Sequence, residues 1–381
     1  MLKRRTVYNE EHELLRSTVR RFVKSEIAPH FDAWERAGIV DRSVWNKAGA
    51  VGLLCPQAAT EYGGAGGTFK HNAVVIEELA YAGVAGPQTD ISVHNDVCAG
   101  YLIRLGTEAQ KRRWLCGMTS GKTVCAIAMT EPGTGSDLQS IATRAVRLGE
   151  RLRVSGAKTF ISNGQHCDLV IVVARTSDES GARGLSLVLV ETDRPGFARG
   201  RNLEKLGHLS SDTSELFFDG VEVPVENLLG AEGTGFASLM QELPQERLTL
   251  GISSMAAAQK AFDITCEYTR TRQVFGRPVI DFQNTRYKLA DLKAELEVGW
   301  AFVDQCLERH DRAELTAQDA SIAKLWCTEM HGRLVDQCLQ FFGGYGFMRE
   351  YEICRLYADA RVQRIYGGTS EIMRELISRN L

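Results

Sequence analysis

The spacing of apolar residues changes twice along the chain. From residue 1 to residue 122 the apolar positions recur at helical spacing, and one stripe consists of Leu15, Val19, Phe22, Val23 and Ile27. From 123 to 230 the chain shows short β-rich runs, such as LVIVVART and LSLVLVET, bounded by Gly, Asn, Asp and Pro. Helical spacing returns near residue 234 and predicts four or five long helices in the rest of the chain.

This pattern predicts an α+β fold in three domains. A helical domain (1–122) comes first, a β-barrel or β-sandwich (123–230) follows, and a four-helix bundle (231–381) comes last. Within the first domain, Thr107 and Gln110 form a capping box that predicts the start of a helix. No Gly-x-Gly-x-x-Gly sequence joins a strand to a helix, so a nicotinamide-binding Rossmann unit is not expected.

Composition and charge exclude several classes of protein. Of the 381 residues, 44% are hydrophobic and only 8 are proline, which does not fit a disordered chain. The net charge of −3 provides no basic field to recruit nucleic acid. The 10 cysteines show no Cys-x-x-Cys pair and no cluster with histidine, so neither a metal site nor a disulfide framework is expected.

The same sequence gives an expectation about location. The first residues lack the apolar core of a secretory signal, and no apolar run reaches the roughly 18 residues that a membrane span needs. Arginine outnumbers lysine, as is common in the products of GC-rich bacterial genes. We therefore expect a bacterial cytoplasmic protein without a membrane span.

Two segments beside predicted strands carry groups suited to a polar ligand. Residues 128–138 read AMTEPGTGSDL, in which glycines let the backbone approach a ligand and hydroxyl groups can bind phosphates or polar ring edges. Residues 160–164 read FISNG, in which an aromatic ring beside a hydroxyl group could stack on a flat ring. The simpler interpretations are a glycine-rich turn for the first segment, and core packing with a turn for the second.

Three further segments join or interrupt helices. The sequence RQVFGRPVIDFQ (272–283) connects two long helices, and its arginines could bind a phosphate or simply be solvated. The pairs Gly343–Gly344 and Gly367–Gly368 interrupt helical sequence at about 1 kcal/mol per glycine. A helical bundle does not need such pairs, which favours a close approach of the backbone to a ligand.

A glutamate near an expected helix break is the candidate general base. Pro244 is expected to break or kink its helix, and Glu246 follows it beside Leu243 and Leu248. A half-buried glutamate at this place would have a raised pKa and could accept a proton near neutral pH. The alternative is an exposed Glu246 or one paired with Arg247.

Taken together, these segments resemble one known family. Their order and spacing are similar to those of the acyl-CoA dehydrogenases over nearly the whole chain, and DT-x-ELFF, ELPQERL and ARVQ-x-IYGGT-x-EIM most resemble the long-chain members. The resemblance implies α,β-dehydrogenation of a medium-chain, long-chain or branched fatty acyl-CoA to the trans-2-enoyl-CoA. It also implies FAD as the cofactor, an electron-transferring flavoprotein as the electron acceptor, and a homotetramer.

The resemblance implies which residues bind FAD. The loop after the first strand contributes Ile127, Met129, Thr130, Gly135 and Ser136. A wall beside the reactive edge of the flavin consists of Phe160, Ile161 and Ser162. The segment after the second glycine pair adds Thr369, Ser370 and Glu371. The FAD of a neighbouring subunit is reached by Arg272, Gln283, Gln340, Gly343 and Gly344.

The resemblance also assigns the catalytic groups. Gly367 stands where short-chain and medium-chain members have a catalytic glutamate, so Glu246 is the implied base and Glu242 the fallback. The backbone N–H of Gly367 is expected to polarise the thioester carbonyl. The implied border of the substrate site consists of Ser136, Pro244, Gln245, Arg247, Gly367 and Gly368.

Two departures from the long-chain pattern leave the acyl preference open. Ala237–Ser238 replaces an aromatic pair, and Phe342 stands where those relatives have a histidine. Three alternatives also remain: an oxidase-type relative, a dehydrogenase that acts on an acyl carrier protein, and a catalytically silent flavoprotein. An aspartate-dependent nitroalkane oxidase is not supported by the pattern of Glu246 and Gly367.

Overall fold

The N-terminal part of the computed structural model, which describes residues 2, 4–179, 181–379 and 381, is helical. Its helices are α1 (Glu10–Phe22), α2 (Phe31–Ala37), α3 (Ser43–Ala50), α4 (Phe69–Tyr81), α5 (Ala85–Ser92), α6 (Ala99–Leu105) and α7 (Glu108–Thr119). Val19, Phe22 and Ile27 of the predicted stripe are buried. The predicted capping box is confirmed, because the side chains of Thr107 and Gln110 each accept the backbone N–H of the other residue.

The middle part contains one eight-stranded sheet. Its strands are β1 (Cys125–Ala128), β2 (Arg144–Leu148), β3 (Arg151–Ser162), β4 (Leu169–Arg175), β5 (Leu185–Glu191), β6 (Phe197–Asn202), β7 (Thr213–Pro224) and β8 (Leu228–Leu229). Their order is β6-β7-β3-β2-β4-β5-β8, and β1 pairs in parallel with β4. Leu169 and Ile171 pack towards α6 and α7, whereas the intervening Val170 packs with β3 and β7. Strand β4 is therefore buried on both faces, between helices and a second layer of the folded sheet.

The C-terminal part is helical again, which confirms the predicted fold class. It contains α8 (Gly235–Thr271), β9 (Gln273–Val274), β10 (Arg277–Pro278), α9 (Gln283–Asp311), α10 (Ala317–Phe341), α11 (Glu352–Ala360) and α12 (Ser370–Ser378). Among the described residues of this part, only α8, α9 and α10 are long, so the expectation of four or five long helices is wrong. Gly343 and Gly367 have φ angles of 57° and 63°, which cannot continue a right-handed helix. No helix of the described residues is both long and apolar enough to cross a bilayer.

Pro244 does not end its helix, so of the two effects expected from the sequence, a break and a kink, the break is wrong. Helix α8 is 37 residues long and continues through Pro244 without interruption. A proline in a helix removes one N–H donor and costs about 3 kcal/mol. Leu243 and Leu248 are buried on either side of it, and α8 packs along α4 and α10. Tertiary packing therefore outweighs the local penalty, and Glu246 lies within a continuous helix.

Candidate active site

Two side chains of α6 contact two carboxylates of α8. The Tyr101 hydroxyl donates a hydrogen bond to Glu246 Oε1 at 2.9 Å, and Arg104 Nε donates to Glu242 Oε1 at 2.6 Å. Arg104 Nη2 also pairs with Glu242 Oε2. Both oxygens of Glu242 are therefore held by a cation, whereas the hydrogen bond to Glu246 comes from a neutral group and occupies one oxygen.

Glu246 is a half-buried carboxyl group with a high proton affinity. Burial raises its pKa from 4.5 to about 7, while the hydrogen bond from Tyr101 and the charges of Arg247 and Arg104 act in the opposite direction. The expected burial and raised pKa are confirmed, and the alternative of an exposed glutamate is wrong. A carboxyl group with this pKa exchanges its proton near neutral pH, as a general base must.

The neighbours of Glu246 on α8 have different surroundings. Gln245 is buried, with its amide oxygen 3.1 Å from His310 Nε2 and its amide nitrogen donating to the Asp96 carbonyl at 2.9 Å. Arg247 is also buried, and its Nε has no hydrogen-bond partner within the described part of the chain. Pro244 is half-buried. Of these three expected border residues, Arg247 retains a donor for a ligand, whereas the amide of Gln245 is already bonded.

Gly367 occupies a place that a larger residue could not enter without rearrangement. Its φ is 63°, and a Cβ built on it would overlap the side chain of Leu250, which lies one turn after Glu246 on α8. The carbonyl of the adjacent Gly368 accepts a hydrogen bond from the buried Lys324 Nζ at 2.7 Å. A glutamate at position 367 would need a left-handed backbone and a displaced Leu250. Glycine therefore fits position 367 without either change.

The residues after the second glycine pair begin α12. The Thr369 side chain accepts the Ile372 N–H, and the Ser370 hydroxyl donates to Glu329 Oε1 at 2.7 Å. Glu371 is exposed. Because both hydroxyl groups already have protein partners, the backbone N–H groups at the start of α12 are the donors left for a ligand.

The two glycine- and hydroxyl-containing segments of the sheet lie side by side. The Thr159 N–H donates to the Thr130 carbonyl at 2.9 Å, which joins the end of β3 to the chain after β1. Glu131 and Thr134 exchange backbone hydrogen bonds at 2.9 and 3.0 Å. The predicted turn is therefore present, and it sits next to the aromatic segment that begins at Phe160.

This pair of segments presents an open surface. A Cβ added at Gly133 or Gly135 would meet no atom within 4 Å, and Ser136 is exposed. Phe160 is 66% exposed and has a φ of 59°, a strained conformation of the kind found at ligand sites. Ile161 is buried in the sheet core, so only its backbone can belong to the expected wall. The remaining expected contacts are half-buried, namely Ile127, Met129, Thr130 and Ser162.

A cleft with a volume of about 430 Å³ lies where α8 and α10 end. Its lining includes Arg272, Gln340, Gly343 and Gly344. The Arg272 guanidinium lies 5.6 Å from the centre of the Tyr345 ring. Gln283 instead begins α9, where its amide donates to the Tyr287 hydroxyl at 2.6 Å. Within one chain, Arg272 and Gln340 therefore line the same cleft, whereas Gln283 does not line it.

One group of potential metal ligands is not predicted by the sequence. Glu11, His12 and His71 lie within reach of a single ion. His71 Nδ1 accepts the Thr68 N–H at 3.0 Å, so the neutral ring carries its proton on Nε2, which lies 3.0 Å from Glu11 Oε1. The proton on His71 Nε2 occupies the position that a metal ion would need. The contact between His71 and Glu11 is therefore a hydrogen bond within the protein.

Sequence comparison recognises all three parts of the chain. Family models for the N-terminal, middle and C-terminal domains of acyl-CoA dehydrogenases match residues 9–122, 126–221 and 233–381. The chain belongs to the acyl-CoA dehydrogenase family. It is therefore an oxidoreductase of a family that uses FAD. The mitochondrial long-chain specific acyl-CoA dehydrogenase of Mus musculus is 46% identical over 379 residues, which cover 99% of this chain and 88% of the relative.

Solved acyl-CoA dehydrogenases follow the same path through space. The enzyme from Geobacillus kaustophilus has a TM-score of 0.96 at 44% identity, with 98% of both chains covered. A glutaryl-CoA dehydrogenase from Mycobacterium smegmatis, solved in complex with FADH2, has a TM-score of 0.92 at 28% identity and covers 98% of this chain and 95% of its own. That relative therefore binds a reduced flavin on the same fold.

Two residues of this acyl-CoA dehydrogenase site are absent from the sequence-based prediction. Tyr101 contacts Glu246 across 145 positions, and no local pattern indicates such a pairing. Lys158 does have a local signal, because it has the same parity along β3 as the buried Leu152 and Val154. A lysine in register with core positions indicates a buried ion pair, and Lys158 forms one with Glu131.

Proposed function

We propose that this acyl-CoA dehydrogenase oxidises a medium-chain, long-chain or branched fatty acyl-CoA to the trans-2-enoyl-CoA, with Glu246 as the base. The observation that supports this most directly is the state of Glu246, which combines partial burial, a pKa of about 7 and one oxygen bound by Tyr101. Glu242 is a poorer candidate, because Arg104 holds both of its oxygens. The identity to a long-chain specific relative supports a long acyl chain.

The proposed reaction converts a C–C single bond into a double bond. Glu246 takes the proton of the α-carbon, and the electrons of that C–H bond form the double bond as a hydride leaves the β-carbon. Bound FAD would supply the acceptor for that hydride. The Gly367 N–H binds the thioester carbonyl and stabilises the negative charge that develops on its oxygen. Lys324 supports this by fixing the Gly368 carbonyl, and with it the glycine pair.

The chain offers suitable residues for both halves of FAD. The open turn at Gly133–Ser136, together with Thr130 and the exposed ring of Phe160, suits the flavin and the pyrophosphate. The cleft with Arg272 and Gln340 suits the adenosine half, which is proposed to belong to a neighbouring subunit. A homotetramer and an electron-transferring flavoprotein as electron acceptor are part of this proposal.

An anaerobic titration tests the proposal. The purified yellow protein is mixed with short, long, branched and aromatic acyl-CoAs, and the visible flavin band is followed. We expect bleaching with at least one fatty acyl-CoA, and the fastest thioester identifies the acyl pocket. Glu246→Gln should retain FAD and lose bleaching by at least about a thousandfold, whereas Glu242→Gln, one turn earlier, should still bleach.

The other outcomes separate the alternatives. Bleaching by Glu246→Gln at the wild-type rate would exclude Glu246 as the base. Peroxide formed in air without another acceptor would identify an oxidase-type enzyme. A flavin that no acyl-CoA reduces would indicate an acyl-carrier-protein substrate or a silent flavoprotein, and bleaching by an acyl carrier protein thioester distinguishes these two.

A further inference from the structure

The bond between Tyr101 and Glu246 is one of two matched contacts between α6 and α8. Tyr101 is fully buried, and its hydroxyl lies 2.9 Å from Glu246 Oε1. Arg104, three residues after Tyr101 on α6, binds Glu242. Glu242 lies four residues before Glu246 on α8. Residues three or four apart share a helix face. Both contacts therefore lie along the same line of contact between α6 and α8. Each of the two carboxylates binds one donor side chain of α6.

The two donors give the two carboxylates different chemistry. A guanidinium that binds both oxygens lowers the proton affinity of a carboxylate and leaves no oxygen free, as at Glu242. A phenol stabilises the anion without cancelling its charge and leaves Oε2 of Glu246 open. Burial and the nearby Glu246 raise the pKa of Tyr101 well above 10, so Tyr101 stays protonated while Glu246 is ionised.

The other ionisable groups around Glu246 cannot replace this hydrogen bond. Arg247, the next residue of α8, acts on Glu246 through its charge, as does Arg104, which is bonded to Glu242. Burial raises the pKa of the Cys98 thiol well above 9, so this residue just before α6 stays neutral. After burial, the hydrogen bond from Tyr101 has the largest influence on the ionisation of Glu246.

We infer that Tyr101 is a positioning residue for the base: its hydroxyl fixes Glu246 Oε1, leaves Oε2 to receive the substrate proton, and favours the ionised carboxylate over the protonated form. This inference rests on the proposed role of Glu246. It assigns to α6, in the N-terminal helical part, a direct effect on a base that α8 carries.

Tyr101→Phe tests the inference by removing one oxygen atom and keeping the ring. We expect the acid limb of the kcat/KM profile to move up by about one to two pH units, the shift that corresponds to losing a hydrogen bond to a charged group. The rate at pH 6 should therefore fall about tenfold or more, while the rate at pH 9 stays near that of the wild type. An equal loss at every pH would overturn the inference, because it would indicate a role in pocket shape alone.

Two further variants control for the substitution itself. Tyr62→Phe removes another tyrosine–carboxylate bond from the same helical part, where the Tyr62 hydroxyl donates to Glu108 Oε2 at 2.7 Å, and it should leave the acid limb in place. Replacing Tyr101 with 3,5-difluorotyrosine makes the hydroxyl a stronger donor and should move the acid limb down. Shifts of Tyr101→Phe and the fluorinated protein in the same direction would contradict the inference.

An infrared titration measures the effect of Tyr101 on the ionisation of Glu246 without any catalytic turnover. The carbonyl band of protonated Glu246 is identified by its loss in Glu246→Gln, and in Tyr101→Phe it should appear at higher pH than in the wild type. If this band shifts but no thioester reduces the flavin, the proposed function fails while the coupling stands. If the enzyme oxidises acyl-CoA and neither the band nor the acid limb shifts, the inference fails while the proposed function stands.

Discussion

Lys158 Nζ lies 2.9 Å from Glu131 Oε1, and both side chains are buried. The same ammonium group donates to the carbonyls of Met129 at 3.0 Å and Val173 at 2.8 Å, while Glu131 accepts two backbone N–H groups. The pair therefore ties the chain after β1 to β3 and β4. It fixes the base of the turn whose tip, at residues 133–136, is open for a ligand.

Lys158→Met is expected to lower the free energy of unfolding by about 3 kcal/mol or more. The substitution leaves Glu131 as a buried carboxylate without its cation, which is among the costly changes in a protein interior. Urea unfolding followed by circular dichroism measures the loss. Lys47→Met is the control, because it removes a surface ion pair with Glu26, which should contribute little to stability. Equal effects of the two substitutions would contradict a structural role for the buried pair.

Gly367→Ala is expected to reduce both stability and flavin bleaching. The new Cβ would overlap Leu250 and would hold a φ of 63°, which costs an L-residue about 1–2 kcal/mol. Gly52→Ala is the matched control, since Gly52 has a φ of 73° and open space around it, so only the backbone penalty applies.

Comparing Gly367→Ala with Gly52→Ala separates the steric overlap with Leu250 from the backbone penalty. Leu250→Ala, combined with Gly367→Ala, should recover part of the loss, because contacting residues show coupling energies of about 0.5–3 kcal/mol. Urea unfolding and the rate of bleaching are measured for the single and double variants. Additive effects would mean that Leu250 does not limit the residue at position 367.

Features that are local in the sequence could be predicted, and features that join distant segments could not. The capping box at Thr107 and the glycine interruption at Gly367 each depend on a few adjacent residues, and both are present. The contact of Tyr101 with Glu246 depends on how two helices meet, which no periodicity records. Pro244 shows the opposite error, because its local penalty is real but smaller than the packing of α8. The candidate base was therefore predictable as a residue, but its partner was not.

Glu246→Gln is expected to stabilise the protein at pH 8. Glu246 has a pKa of about 7 in the folded chain, compared with its ordinary value of 4.5, so the folded state binds the proton more tightly. Its favourable contribution is complete below the lower value and is lost as pH rises through the higher one. A glutamine, uncharged at every pH, should therefore raise the free energy of unfolding at pH 8 by about 1–2 kcal/mol, less than the full shift because the group is partly exposed.

The pH dependence of this gain distinguishes it from a simple packing effect. At pH 5 most of the folded wild-type protein carries the proton on Glu246, so the advantage of glutamine should shrink. Urea unfolding at the two pH values measures the change, and Glu267→Gln, at an exposed position of the same helix, serves as the control. The burial that gives Glu246 its basicity is thus expected to reduce the stability of the fold. A Glu246→Gln variant with the same advantage at pH 5 and pH 8 would contradict the raised pKa on which the proposed mechanism depends.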